Sequence, residues 1–289
     1  LMTALGETPA GKGAGDENFP VGSWLMPAAL RPHIALFYAY ARAIDDVADN
    51  PDLAPDVKIH RLNEFAAELT AQSGADPDYI KATAIGKSLR STGVPAQHCL
   101  DLITAFKQDA VQSRYDTWDD LIRYCLNSAA PVGRYLIDLH SESRDAYAAS
   151  DALCNALQII NHLQDCGDDF RDLDRVYIPR NWLNEAGSAA QAVNAPTTTP
   201  ALRVVLNRCL DGVEALMATA HTLPLQLRNR RFAMEAAVIV RIADTLTADL
   251  RRRDPLAERV VLTKPRYLWC GLSAIVTLFW QRILGPTRF

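Results

Sequence analysis

LCNALQIINHLQDCGDDF, residues 153–170, decides the architecture. Its apolar residues return at three- and four-residue spacing, the period of a helix packed into a core. Threaded through them are Gln158, Asn161, Asp165 and Asp169. At about 100° per residue these four fall within roughly 80° of one another, so a helix would carry them as one stripe. Upstream, FYAYARAIDDVADN, residues 37–50, has the same form. Tyr38, Arg42, Asp45 and Asp49 fall within roughly 60° on a helix.

Two stripes that each end in a pair of carboxylates one turn apart need something to neutralise them. Like charges at this spacing repel, and carboxylates in apolar surroundings are costly without partners. An ordinary solvated helix face is the bland explanation for one such pair. The apolar and aromatic residues around both stripes argue instead for helices inside a bundle, and those helices carry too few Lys or Arg to pair every carboxylate. A hard divalent cation fits: Mg²⁺ favours oxygen ligands and commonly bridges one or two carboxylates to substrate phosphates. A calcium loop would need a different ligand order and a closing Glu after DCGDDFRDLD. A di-iron bundle would need Glu-x-x-His pairs, and the sequence has none.

Helical periodicity extends over 28–49, 55–72, 78–91, 96–112, 117–140, 147–170, 199–221, 225–251 and 266–284, with breaks at Pro- and Gly-containing stretches such as NPDLAP (50–55) and NAPTTTP (194–200). No long alternating strand run appears. The fold class expected is all-α, one helical bundle around a central cavity. Residues 1–17 are expected to be a flexible leader, 18–265 one all-α domain and 266–289 an apolar C-terminal helix. GETPAGKG, in the leader, misses a phosphate-binding loop because Gly13 stands where a hydroxyl residue is required and no strand precedes it.

The net charge of −4 leaves no electrostatic footprint for nucleic acid. The six cysteines show no Cys-x-x-Cys spacing, so neither a zinc site nor a disulfide framework is expected and the cytoplasm is the compartment of choice. The opening has no apolar signal segment. YLWCGLSAIVTLFWQ, residues 267–281, is uncharged yet shorter than the roughly 20 residues of a spanning helix, which points to peripheral contact at the inner face of the cell membrane.

YAYARAIDDVAD (38–49) and LQIINHLQDCGDDFRDLDRVYIP (157–179) resemble the two aspartate-rich signatures of the squalene and phytoene synthase family. YDTWDDLIRYCLNSAAPVGRYL (115–136) is similar to that family's central helix, and ERVVLTK (258–264) to its end. The resemblance implies an all-α isoprenoid synthase that binds a prenyl diphosphate and Mg²⁺ ions. It implies Asp45, Asp49, Asp165 and Asp169 as catalytic metal ligands, joined by Asn161. Tyr38, Arg42, Gln158, Asn161, Arg259 and Lys264 would contact substrate or diphosphate, and Phe19, Tyr124, Ala129, Val132 and Gly133 would line the prenyl cavity. Partners among other enzymes of the same pathway are implied too.

DENFPVGSWLMPAALRP (16–32) and the short C-terminal region are most similar to the branch that converts presqualene diphosphate to hydroxysqualene. Two places depart from the family pattern: Gln164 stands where many members have Arg, and Val240 near a place many fill with Tyr. The expected reaction is Mg²⁺-dependent ionisation of a prenyl diphosphate, stabilisation of the cation by an apolar cavity and by Phe37 or Tyr38, and capture by water. NADPH is not expected. The alternatives are head-to-head condensation of two prenyl diphosphates, and a non-catalytic helical partner of such an enzyme.

Overall fold

The computed structural model describes residues 26–71 and 76–284. Phe19, the leader and its GETPAGKG lie outside the described residues. The chain enters through α1 (Arg31–Asp49), and α2 (Pro55–Thr70), α3 (Ile80–Thr92) and α4 (Gln97–Asp109) pack around it. Next come α5 (Trp118–Ser128), α6 (Ala130–Leu139), α7 (Tyr147–Gln164) and α8 (Cys166–Leu173). The second half comprises α9 (Arg180–Glu185), α10 (Pro200–Ala220), α11 (Leu223–Gln226), α12 (Arg230–Arg252) and α13 (Lys264–Leu284). Among the described residues there is no β-strand, only an isolated parallel bridge between Arg114 and Val176.

The helix boundaries follow local chemistry. Pro55 and Pro200 stand at helix starts, where their missing N–H costs nothing. Thr117 and Asp120 cap α5 reciprocally, each side chain taking the other residue's backbone N–H. The Asn229 side chain accepts from the amides of Arg231 and Phe232 to start α12. Gly93, at φ +74°, closes α3 in the left-handed conformation that glycine adopts without a Cβ clash. All six cysteines are free, as their spacing predicts.

α7 is the axis of the bundle. It packs against α5, α6, α10 and α12, and buries residues on nearly every side, from Ala149 and Leu153 to Ile159 and Ile160. A helix apolar all round belongs at the centre of a fold. Two helices expected to be continuous are broken. The 117–140 helix divides at Ala129 (φ −120°, ψ −49°), and the 147–170 helix at Asp165 (φ −104°, ψ 9°). At the second break the helical bonds persist, since the Asp165 amide donates to Asn161 O (2.9 Å) and the Asp169 amide to Asp165 O (2.8 Å). The break is therefore a bend that leaves the stripe's order intact.

Gly133 serves packing. A Cβ there would lie 2.2 Å from Ser150 Oγ and 2.8 Å from Cys154 Sγ, so the smallness of Gly133 lets α6 close against α7. On this side of Gly133 the space is taken by the neighbouring helix. Ala129 is likewise buried, while Val132 is half-buried against the core.

At the C-terminal end the helix starts at Lys264 rather than 266 and runs 21 residues. That corrects the length argument from the uncharged run alone, since α13 is long and apolar enough to cross a membrane by length and composition. It nevertheless lies against the body of the protein, burying Cys270, Ala274 and Leu278 against α12 and α11.

The glycine contacts set opposite expectations for two substitutions. Gly133→Val should destabilise by about 1–3 kcal/mol through overpacking. Gly271→Ala, on α13 with nothing within 4 Å of the new Cβ, should be neutral or stabilise by up to about 1 kcal/mol. Urea unfolding of both variants gives the comparison.

Candidate active site

The first stripe occupies the last three turns of α1. Arg42 lies between neighbouring carboxylates, 2.8 Å from Asp45 Oδ2 and 3.2 Å from Asp46 Oδ1, so before any ligand arrives it already serves its own helix. Asp45 and Asp49 are half-buried, with 27% and 32% of their side chains exposed. Burial raises the Asp45 pKa, Asp49 raises it further, and Arg42 opposes both. Tyr38 is half-buried one turn before Arg42.

The second stripe spans the bend. Gln158 and Asn161 are half-buried on α7, Asp165 forms the bend, and Asp169 lies on α8 with 22% of its side chain exposed. His162 lies between the ends of this stripe. Its Nε2 is 3.1 Å from Gln158 Nε2 and its Nδ1 3.9 Å from Asp169 Oδ2. The ring is stacked on Tyr177, centroids 3.5 Å apart.

Three groups that the stripe reading missed gather at the end of α1, and the first of them is near both stripes. Asp109, the last residue of α4, is 7% exposed and accepts the Tyr124 hydroxyl at 2.8 Å, while its other oxygen is buried without a hydrogen bond. Its pKa is pushed up to about 7, by burial first and then by Asp49 and Asp169, against the pull of Arg175 and Tyr124. One carboxylate thus feels both stripes. Arg175 is the second group. Asp174 takes a left-handed turn at φ 50° to end α8, and the chain turns Arg175 inward, where Nη1 meets Asp49 Oδ1 at 2.5 Å. Nη2 donates to Asp109 O (3.2 Å) and Ala48 O (3.4 Å). Lys58 is the third, its Nζ 2.7 Å from Ala48 O. Its pKa is lowered by burial and by Arg175, and Asp49 opposes this.

The stripe helices do carry too few cations, as their sequence says; the cations come from a loop and from α2. No motif announces them. A lone Asp in an apolar helix and an Arg beyond a helix end acquire meaning only through tertiary contact. The signal within reach was the DLDRVYIP segment (172–179), whose Arg175 and Tyr177 both enter this cluster.

Tyr124 is buried, its ring beside those of Tyr115 and Tyr177 with centroids 5.3 and 5.6 Å away. Its hydroxyl supplies a donor to Asp109 beneath the carboxylates. Phe37 is covered too, stacked on Tyr135 at 4.0 Å, which removes one face of its ring from any cation. Val240 is buried in the α12 core. Gln164, at the place of a family Arg, instead donates through Nε2 to the Val260 carbonyl. That bond fastens the segment carrying the exposed Arg259 and Lys264 beside the end of α7. Two open grooves, about 320 and 350 Å³ in volume, lie along α12 away from these carboxylates.

The donors fit Mg²⁺ in kind. They are hard oxygens with more negative charge than Arg42, Arg175 and Lys58 offset, and Asp109 has an unmatched buried oxygen. Among the described residues no three acidic, His or Cys groups converge as a ready cage. Pairs rather than a cage suit an ion that takes one or two carboxylates and completes its shell with substrate phosphate.

An all-α bundle whose carboxylate-ended stripes are brought to one electrostatic centre belongs to the helical isoprenoid synthase class. The squalene/phytoene synthase profile matches residues 13–266, and the chain belongs to that family. It is 39% identical over 288 residues to a hydroxysqualene synthase of Rhodopseudomonas palustris, covering 98% of this chain and 96% of the relative. It is 40% identical over 268 residues to a hydroxysqualene synthase of Zymomonas mobilis, covering 92% and 89%. Among solved structures, squalene synthase HpnC from Alicyclobacillus acidocaldarius superposes with a TM-score of 0.72 at 31% identity, covering 80% of this chain and 87% of that one. A dehydrosqualene synthase in complex with ligand shares the fold, with a TM-score of 0.73 at 18% identity over 92% and 93% of the two chains.

The raised Asp109 pKa sets the sign of a pH effect. Between about pH 4 and pH 7 the folded chain keeps a proton that the unfolded chain has lost, so this group's contribution to stability declines as pH rises through that window. Asp109→Asn keeps an acceptor for Tyr124. It should flatten the decline and raise the melting temperature at pH 8, by the equivalent of roughly one to a few kcal/mol. Melting curves of both proteins across pH 4–8 without divalent ions provide the check; an unchanged slope contradicts the assignment.

Proposed function

We propose that the protein converts presqualene diphosphate and water to hydroxysqualene and diphosphate. The observation that carries this is the graded similarity within the family. The chain is 39–40% identical to hydroxysqualene synthases over almost its whole length, against 29% to a 15-cis-phytoene synthase of Paracoccus.

The reaction breaks the carbon–oxygen bond to diphosphate, whose oxygen keeps the electron pair. The carbocation rearranges, a water oxygen adds to it, and the water's proton leaves. The step is redox-neutral and needs no hydride donor. Asp45, Asp49, Asp165 and Asp169, with Asn161, would hold Mg²⁺, which supplies positive charge against the developing charge of the leaving diphosphate. Arg42, now on Asp45, would turn to a phosphate oxygen, and Arg259 and Lys264, on the segment that Gln164 fastens, would be further diphosphate contacts. Arg175 holds Asp49 in place from below while Lys58 closes the end of α1. His162 orients Gln158 and Asp169, and Tyr38 offers an aromatic face near Arg42.

Purified protein with Mg²⁺, given presqualene diphosphate, should release an alcohol whose oxygen comes from isotopically labelled water, with NADPH altering neither rate nor product. Asp45→Asn and Asp165→Asn should retain the fold and lower turnover by roughly two or more orders of magnitude, and EDTA should stop the reaction reversibly. Squalene formed on adding NADPH, or farnesyl diphosphate consumed instead, would move the chain to the condensing branch. Failure to turn over any prenyl diphosphate would make it a non-catalytic partner.

A further inference from the structure

α13 buries one narrow edge and presents the rest outward. Cys270, Ala274 and Leu278, four residues apart, meet the body, while Trp269, Leu272, Val276, Phe279, Trp280 and Ile283 form a continuous exposed stripe. Trp269 and Trp280 are 69% and 54% exposed. Scattered exposed apolar side chains are ordinary; an unbroken stripe with two tryptophans along one helix marks a contact surface.

The helix is held down at both ends. At its start Arg266 forms a paired contact with Asp249 of α12 (Nη1–Oδ2 2.5 Å, Nη2–Oδ1 3.0 Å). At its end Arg282 donates to the carbonyls of Pro224 (3.0 Å) and Leu227 (2.8 Å). These clamps fix α13 lengthwise against α12 and the end of α11, so its apolar face can enter a lipid surface only in-plane. A spanning pose would require both clamps to break.

The chemistry at the edge of the stripe says what covers it. α13 contains Lys264, Arg266 and Arg282 and no acidic residue, in a chain whose net charge is −4. Between α12 and α13 runs the groove of about 320 Å³, lined by Arg241, Thr245, Arg266, Trp269, Cys270 and Ser273. Asp249 offsets Arg266, and the Thr245 and Ser273 hydroxyls already donate to carbonyls of their own helices, at 2.7 and 3.2 Å. The exposed Arg241 guanidinium is therefore the groove's main charge, next to an exposed tryptophan. A phosphate at the level of the Trp rings with acyl chains beyond it matches this order of groups, since tryptophan and arginine gather at the boundary between headgroups and acyl chains.

We propose that α13 is an in-plane docking helix for a bilayer containing anionic phospholipid, with a lipid phosphate seated in the groove at Arg241 and the Trp269–Trp280 stripe inserted among the acyl chains. The proposal stands on α13 and its groove with α12, and does not depend on the reaction assigned above.

The test is flotation of the full-length protein with phosphatidylcholine vesicles and with vesicles also containing phosphatidylglycerol. The protein should float with the anionic vesicles, and brominated acyl chains should quench its tryptophan emission. Arg241→Glu should weaken binding roughly ten- to thirty-fold, and Phe279→Asp with Trp280→Asp should abolish it. These side chains are exposed, and circular dichroism and melting should confirm that both variants stay folded. Strong binding to neutral vesicles alone, an unchanged affinity in Arg241→Glu, or flotation of the double variant would each overturn the proposal. So would resistance of bound protein to carbonate extraction, which indicates spanning. A dimer in light scattering that the double variant dissolves would assign the face to a second copy of the chain instead.

Discussion

The contact between Arg175 and Asp49 is the constraint on which the site's architecture depends. The two carboxylate stripes belong to helices separated by more than a hundred residues, and bringing them to one place concentrates negative charge that would drive them apart. A guanidinium 8% exposed, in contact with Asp49 and with carbonyls at the ends of α1 and α4, joins the end of one stripe to the loop beyond the other. Asp49 keeps about a third of its side chain in solvent. The pair's contribution is therefore on the order of one to a few kcal/mol, less than for a fully enclosed pair. Its geometric role is the larger one, since the left-handed turn at Asp174 ends α8 and directs the next residue, Arg175, inward to this contact.

Around this contact the site divides into groups that face outward and groups that support them. Asp45, Asp49, Asp165 and Asp169 keep partial exposure. Asp109, Tyr124, Tyr177 and His162 lie beneath and are buried. Burial makes a carboxyl favour its neutral form, and both Asp45 and Asp109 are shifted this way, Asp109 with charges from both stripes nearby. A buried carboxyl that gains a proton as its neighbours crowd together relieves part of the repulsion without any bound cation. The site can in this way be folded and compact before its ligand is present.

The helices were legible in the sequence because their apolar period is strong, and the two stripes because helical geometry converts spacing into direction. The bends at Ala129 and Asp165 were not, since both segments keep their period across the break and neither break coincides with a glycine. Asp109, Arg175 and Lys58 were hidden for another reason. Each is the only charged residue of its element to enter the site, and a single charge has no spacing to read. The neighbours of Gly133 and Phe37 were not legible either. Sequence similarity marks such positions as small or aromatic, while only packing shows that Ser150 and Cys154 fill the space beside the one and Tyr135 covers the other. Resemblance named Gln164 as a departure, and its structural consequence, a bond to the Val260 carbonyl, required coordinates.

That bond connects the chemistry to the far end of the chain. Gln164 precedes Asp165, and Val260 comes directly after Arg259 and leads within a few residues to Lys264, where α13 begins. The segment is short and fastened at both sides, by Gln164 at Val260 and by the contact of Arg266 with Asp249. Its position is therefore set by the body of the fold rather than by loop freedom, and the start of the apolar helix is tied to the end of the second stripe. The neutral Gln164 amide gives its donor to the backbone there, which makes a fixed connection between the end of α7 and the helix beyond it.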